Sequence, residues 1–248
     1  MVRLWFFVIA GTLTCCAQTA SELPARKDSV SVSAGFTKDE LRVADEFDSK
    51  WESARQIVST DPRNAIKRLQ ELLAIIDHHA FLEHNRPQLL VALGDAYMGA
   101  GELPAAVKVF EQRLRTDEEC KPNATYPASC ASAQLDLATA RMASGDVSVA
   151  LDLARSAVEN FRQQLKLEKP READELQHFV HLRKLGQAEL MYGLFLARGG
   201  RAGEASQMLG QCVETLGQIL ANAEVQPSLR TDAQHFIDLA RKQQAALK

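Results

Sequence analysis

Three times along the chain a small residue is followed seven positions later by glycine and twelve positions later by alanine. Gly94, Gly101 and Ala106 form the first set, Ala138, Gly145 and Ala150 the second, Gly193, Gly200 and Ala205 the third. The residue before each first landmark is Leu93, Leu137 or Tyr192, and four positions beyond each last one stands Phe110, Ala154 or Leu209. The offsets have a steric meaning. Two helices joined by a short turn cross closely only where no side chain larger than a methyl intervenes. The middle glycine supplies the left-handed residue that ends a helix before such a turn. Pro104 then falls at a helix start, where a missing N–H costs nothing. The pattern predicts helical hairpins in which Gly94, Ala138 and Gly193 meet Ala106, Ala150 and Ala205. Leu93, Leu137, Tyr192, Phe110 and Leu209 then fill the layer between neighbouring hairpins.

The run Leu90-x-x-Leu93-Gly94-x-x-Tyr97 followed by Ala106-x-x-x-Phe110 resembles the tetratricopeptide repeat (TPR), with Leu90 in place of the family's Trp. Windows 87–120, 131–164 and 186–219 carry the resemblance. The later two depart from it, since Arg141 and Leu196 stand where Tyr is usual, and all three lack the family's terminal Pro. The first landmarks lie 44 and 55 residues apart rather than 34. A loop around Cys120–Cys130 accounts for the first excess, and longer helices around Pro170, up to Leu167 and from Arg171 to Arg198, for the second.

The flanks are helical by period. Leu41, Ala44, Phe47, Trp51, Ala54 and Val58 share one face. Asp61-Pro62 starts a helix that turns Ala65, Ile66, Leu69, Leu72, Leu73 and Ile76 inward. This pair reads as a degenerate repeat over 46–82, whose first helix lacks the small landmark because Ser53 stands there. A last helix over 228–247 is apolar on one face only, as a cap requires. The expected fold is all-α: a right-handed α-solenoid of TPR-like hairpins, about nine helices over 38–248, in one cooperative stack.

The N-terminus reads as an export signal. A cationic start precedes the apolar stretch Leu4 to Leu13, which is too short to span a bilayer. Residues 1–17 would be removed and 18–37 would form a flexible tether. Cleavage after Ala17 is one reading. The other is a bacterial lipobox, Leu13-Thr14-Cys15-Cys16, with Cys16 lipidated; Cys15 departs from the usual small residue there. The resemblance is thus to an exported bacterial type of TPR protein, periplasmic, lipid-anchored or secreted. With 29 Lys+Arg against 32 Asp+Glu, net −3, the chain lacks the basic excess that nucleic acid demands.

Export places the remaining cysteines in an oxidising compartment. Cys120 and Cys130 bracket a short Pro-containing loop and suit a disulfide, with two free thiols as the other reading. Cys212 matches Ala157 in a small-residue slot and reads as a core thiol. Asn123-Ala-Thr125 is a glycosylation sequon that carries no meaning in a bacterium. His78, His79 and His84 near Glu83, and His178 and His181 beside Glu175, supply only part of a zinc set. No metal, cofactor or catalytic group is therefore assigned, and Gly199-Gly200-Arg201-Ala202-Gly203 reads as an inter-helix turn, not a phosphate loop.

The TPR resemblance implies a concave face lined by the first helix of each hairpin. Its residues here are Gln88, Val91, Ala92, Asp95 and Met98, then Leu135, Asp136, Thr139 and Met142, then Gln187, Leu190, Met191, Leu194 and Arg198. Asp95 and Asp136 disfavour a carboxylate clamp, whereas the apolar, methionine-bearing character suits an amphipathic helix. A covering of this face by the long helix or the last helix is the competing reading. The expected function is a non-enzymatic adapter or scaffold for an unidentified protein or peptide partner. The alternatives are a metal-binding or enzymatic protein using the His178/His181 region and a self-associating structural subunit.

Overall fold

The computed structural model describes residues 37–116, 120, 127–168 and 175–247. The export signal, Cys16, nearly all of the tether and the sequon lie outside the described residues. Nine α-helices and one short 3₁₀ segment make up the regular structure among the described residues. They are α1 (Lys38–Ile57), α2 (Pro62–His78), the 3₁₀ segment (Ala80–Asn85), α3 (Arg86–Gly99), α4 (Leu103–Thr116), α5 (Pro127–Ala143), α6 (Val147–Leu167), α7 (Glu175–Arg198), α8 (Ala202–Ala221) and α9 (Pro227–Ala246). They group into two compact units, one ending at Val109 and the other beginning at Phe110.

Local chemistry sets the helix starts. At α1, Thr37 and Glu40 form a capping box: the Thr37 hydroxyl accepts from Glu40 N at 3.2 Å, and the Glu40 carboxylate accepts from Thr37 N at 2.7 Å. At α2, Asp61 caps Asn64 N at 3.2 Å, with Pro62 in the first turn. Helix α5 starts at Pro127, earlier than the repeat window begins, because proline at the first position forfeits no hydrogen bond.

Three hairpins close by one turn. Gly101, Gly145 and Gly200 take φ of +77°, +90° and +78°. In each, the glycine N–H donates three residues back and the next N–H donates five residues back: Gly101 to Met98 O and Glu102 to Tyr97 O, Gly145 to Met142 O and Asp146 to Arg141 O, Gly200 to Ala197 O and Arg201 to Leu196 O, all at 2.9–3.2 Å. This Schellman pairing satisfies carbonyls that the helix end would otherwise leave open. It needs backbone alone, so Arg141 and Leu196 serve as well as Tyr97.

In the first unit, Phe47, Ala54, Ala65, Leu69, Leu72, Ile76, Leu89 and Leu93 form one core. On α1, Ala54 of the apolar face is fully buried and Ser53 beside it is exposed. In the second unit, α5 packs on α6, α6 on α7, α7 on α8, and α9 on both α8 and α7. Ala138, Ala150, Ala154, Ala157 and Ala205 are fully buried in one cluster. Leu209, Leu216, Phe236 and Ile237 anchor another, in which α9 serves as the cap. Each such large apolar side chain contributes roughly 1.5–3 kcal/mol by leaving water.

The closest reading of a crossing is at α7 and α8. A Cβ on Gly193 would stand 2.9 Å from Leu209 Cδ2 and Cγ and 3.5 Å from the Ala205 carbonyl. Seven residues earlier on α7, a Cβ on Gly186 would overlap Leu216. The two glycines are sockets for the two leucines.

A Cβ at Gly145 would meet nothing within 4 Å, so only the positive φ opposes alanine there. Gly217 is also open but lies inside α8. Gly145→Ala should therefore cost about 1–2 kcal/mol, and Gly217→Ala should add about 0.5–1 kcal/mol. Urea unfolding followed by far-UV circular dichroism measures both, and equal signs would refute the assignment of strain.

Candidate interaction surface

The concave-face residues divide by burial. On α3, in the first unit, Gln88 is exposed, Val91, Asp95 and Met98 are half-buried, and Ala92 is buried. On α5, Asp136 and Thr139 are half-buried, whereas Leu135 and Met142 are buried, Met142 to 1% exposure. On α7, Gln187 and Leu194 are half-buried and Arg198 is exposed, whereas Leu190 and Met191 are buried.

The expectation of an apolar groove therefore needs correction in the second unit. Leu190 belongs to the cluster that α9 completes with Leu229, Ala233, Phe236 and Ile237. Met191, Leu135 and Met142 belong to the core shared by α5, α6 and α7. These four side chains stabilise the unit itself and are not free to meet a partner. The apolar moment of α7 points inward on two sides because α7 has neighbours on two sides.

The charged residues at the edge of that stripe carry more information. Asp136 forms an ion pair with Nη1 of Arg113, which projects from α4 and is itself buried. Its surroundings raise the Asp136 carboxyl through burial, against the opposing charges of Arg113 and Lys184. Lys184 on α7 is pulled below the usual lysine range, first by burial, then by Arg183 and Arg113, with Asp136 acting in the other direction. Arg183 Nη1 lies 3.6 Å from an Asp232 oxygen of α9, within ion-pair range but beyond hydrogen-bond reach. Arg113 Nε and Arg183 Nε and Nη1 are buried without a hydrogen-bond acceptor among the described residues. Sequence reasoning named Asp136 alone; Lys184 precedes the repeat window and Arg113 sits on a second helix, so no repeat position signalled them.

A second polar network ties α6, α7 and α8. Glu189, 1% exposed, accepts from Arg162 at 2.7 Å and from the Thr215 hydroxyl at 2.7 Å. Arg162 also donates to Gln211 at 2.8 Å. Burial raises the Glu189 carboxyl; both hydrogen bonds oppose it. Cys212, fully buried, is pushed up to about 12 by burial, with Glu189 adding to the effect, which leaves it an inert thiol.

The histidines meet a different carboxylate from the one the sequence suggested. Glu168, at the end of α6, accepts from His178 Nδ1 at 2.8 Å and from His181 Nδ1. The Gln177 amide donates to His181 Nε2 at 3.0 Å. The side chain of Glu175 lies outside the described residues. Both Nδ1 atoms are thereby engaged in a clamp between α6 and α7, and among the described residues no three His, Cys, Asp or Glu side chains converge as metal ligands. Cys120 and Cys130 are joined by a disulfide with Cα atoms 4.8 Å apart. Among the described residues no helix is long and apolar enough to cross a membrane.

The architecture has known counterparts. A crystal structure of TPR-like repeats from Podosopora anserina, in a chain assigned as a kinesin light chain, superposes with a TM-score of 0.53 at 25% identity, covering 82% of this chain and 91% of that one. A second crystal structure of the same repeats gives 0.52 at 24%, with the same coverage. No known family profile and no curated protein matches the chain. The fold is TPR-like.

Glu189 offers a pH test of the buried network. A carboxyl raised in the folded state holds its proton more tightly than in the unfolded chain. Its stabilising contribution is therefore present at low pH and is lost as pH rises from the ordinary value of 4.5 through the folded value. Glu189→Gln removes this loss while an amide oxygen still faces Thr215. The unfolding midpoint of the variant should fall less than that of the parent as pH rises above the ordinary value of 4.5. Identical pH profiles would show that Glu189 does not titrate across folding.

Proposed function

We propose that this chain is an exported, non-catalytic scaffold that holds a protein partner on the first helices of its repeats. The carrying observation is the likeness to TPR-like repeats over four-fifths of the chain. Proteins built this way act as interaction modules: stacked repeats present extended concave binding surfaces. The apolar stretch Leu4 to Leu13 supports export, either with cleavage after Ala17 or with a lipid on Cys16. The disulfide between Cys120 and Cys130 suits an oxidising compartment.

In the first unit the surface is Gln88, Val91, Asp95 and Met98, where the methionine adapts to varied side chains. In the second unit it is the polar remainder of the stripe, Asp136, Thr139 and Gln187, with Leu194 and Arg198. A photo-crosslinking residue placed at Met98 or Thr139 in the native cell should capture a discrete partner. The same group at the exposed Val149 of α6 should not. Equal capture at all three sites would contradict a dedicated face.

A further inference from the structure

The last turns of α4 are held by polar and covalent links more than by apolar burial. Phe110 is 2% exposed. Beyond it in α4 only Arg113 is buried; Glu111 and Leu114 are half-buried, and Gln112, Arg115 and Thr116 are exposed. Three links join this end to α5, and their order is that of two antiparallel segments. Glu111 pairs with Arg141, Arg113 pairs with Asp136, and Cys120 is bonded to Cys130. The carboxylates of Glu111 and Asp136 keep 33% and 32% of their surface exposed, so water competes for both ion pairs. Helix α5 has its own anchorage, since Ala128, Ala131, Leu135, Ala138 and Met142 share a core with α6 and α7. Of the two segments, the end of α4 is therefore the one that can leave.

The disulfide is the strongest of the three links. In the chain-entropy account, a bridge across so short a loop favours the closed hairpin by on the order of a hundredfold. Its two ends differ: Cys130 is 5% exposed and Cys120 is half-buried. A bridge with one end open to solvent is of the labile, regulatory kind. The ion pair it secures carries Asp136, which stands on the face proposed above for the partner.

We propose that the Cys120–Cys130 disulfide is a redox latch: oxidised, it holds the last turns of α4 on α5 and keeps Arg113 on Asp136; reduced, it releases them and bares Asp136 on the partner face. The consequence for the partner rests on the scaffold reading; the latch itself does not. The reductant is a dithiol. Its thiolate attacks Cys120 Sγ, the bond between the two cysteines breaks, and Cys130 leaves as a thiolate that takes up a proton. The second thiol, as its thiolate, then displaces Cys120 from the mixed disulfide, and Cys120 takes up a proton in turn. The dithiol is oxidised to a disulfide, and the chain gains two electrons and two protons. Cys212, fully buried, takes no part.

Hydrogen exchange of the folded full chain, read by mass spectrometry with and without dithiothreitol, tests the latch. Reduction should raise the opening of residues 111–116 by roughly a hundredfold and leave α6 to α9 unchanged. The double variant Cys120→Ser and Cys130→Ser should reproduce the effect without reductant, and carbodiimide labelling of its Asp136 should rise several-fold. Arg113→Gln in the oxidised chain should leave 111–116 protected. A bridge that dithiothreitol fails to reduce in the folded chain would overturn the proposal, as would unchanged exchange over 111–116 after reduction. Exchange that spreads through α6 to α9 would also overturn it, by making the bridge a staple of the whole unit. So would an equal loss of protection in oxidised Arg113→Gln, because the ion pair would then be the hold. Photo-crosslinking at Met98 reports separately on the scaffold reading.

Discussion

Two helices of this chain meet with glycine on one side and leucine on the other, and the rest of the second unit is arranged around that approach. Leu216 and Leu209 of α8 occupy the space that Cβ atoms on Gly186 and Gly193 of α7 would claim. Seating two leucines against bare backbone draws the helices together, fixes their register and leaves α7 free to turn its other sides to α6 and α9. Interiors are packed near the density of organic crystals, so even a single methyl is felt. The tight turn at Gly200 follows from the same need, because α8 must start almost where α7 stops.

The repeat was legible because it is written in small residues at fixed offsets. Gly101, Gly145 and Gly200 stand at the three positive-φ turns, and Gly193 lies against Ala205 and Leu209. What the repeat left out was illegible for a physical reason. Gly186 lies seven residues before a landmark, and its role appears only when Leu216 is known to face it. Ser53 stands where the degenerate hairpin lacks its small landmark and is exposed, whereas Ala54, on the face read from the period, is buried.

The candidate surface was less legible than the fold. A helix of a repeat has an inner stripe, but whether that stripe meets solvent depends on helices far along the chain. Leu190 is covered because α9 folds back to it, and Met142 because α5 is enclosed by its neighbours. The charged residues beside the stripe come from different helices: Arg113 of α4 pairs with Asp136 of α5, and Lys184 stands on α7. No spacing along the chain joins them. The same holds for Glu168, which meets His178 and His181 only because α6 and α7 run back to back.

The close approach of α7 and α8 is tested most directly by a double-mutant cycle of Gly193→Ala and Leu209→Ala, read by denaturant unfolding. In the parent, the added methyl collides with Leu209 and should cost about 1–3 kcal/mol. With Leu209 shortened the collision is gone, and the same methyl should be neutral or should stabilise α7 by up to about 1 kcal/mol. A cost for Gly193→Ala that is the same in both backgrounds would contradict the account, since it would mean the glycine is not there to admit the leucine.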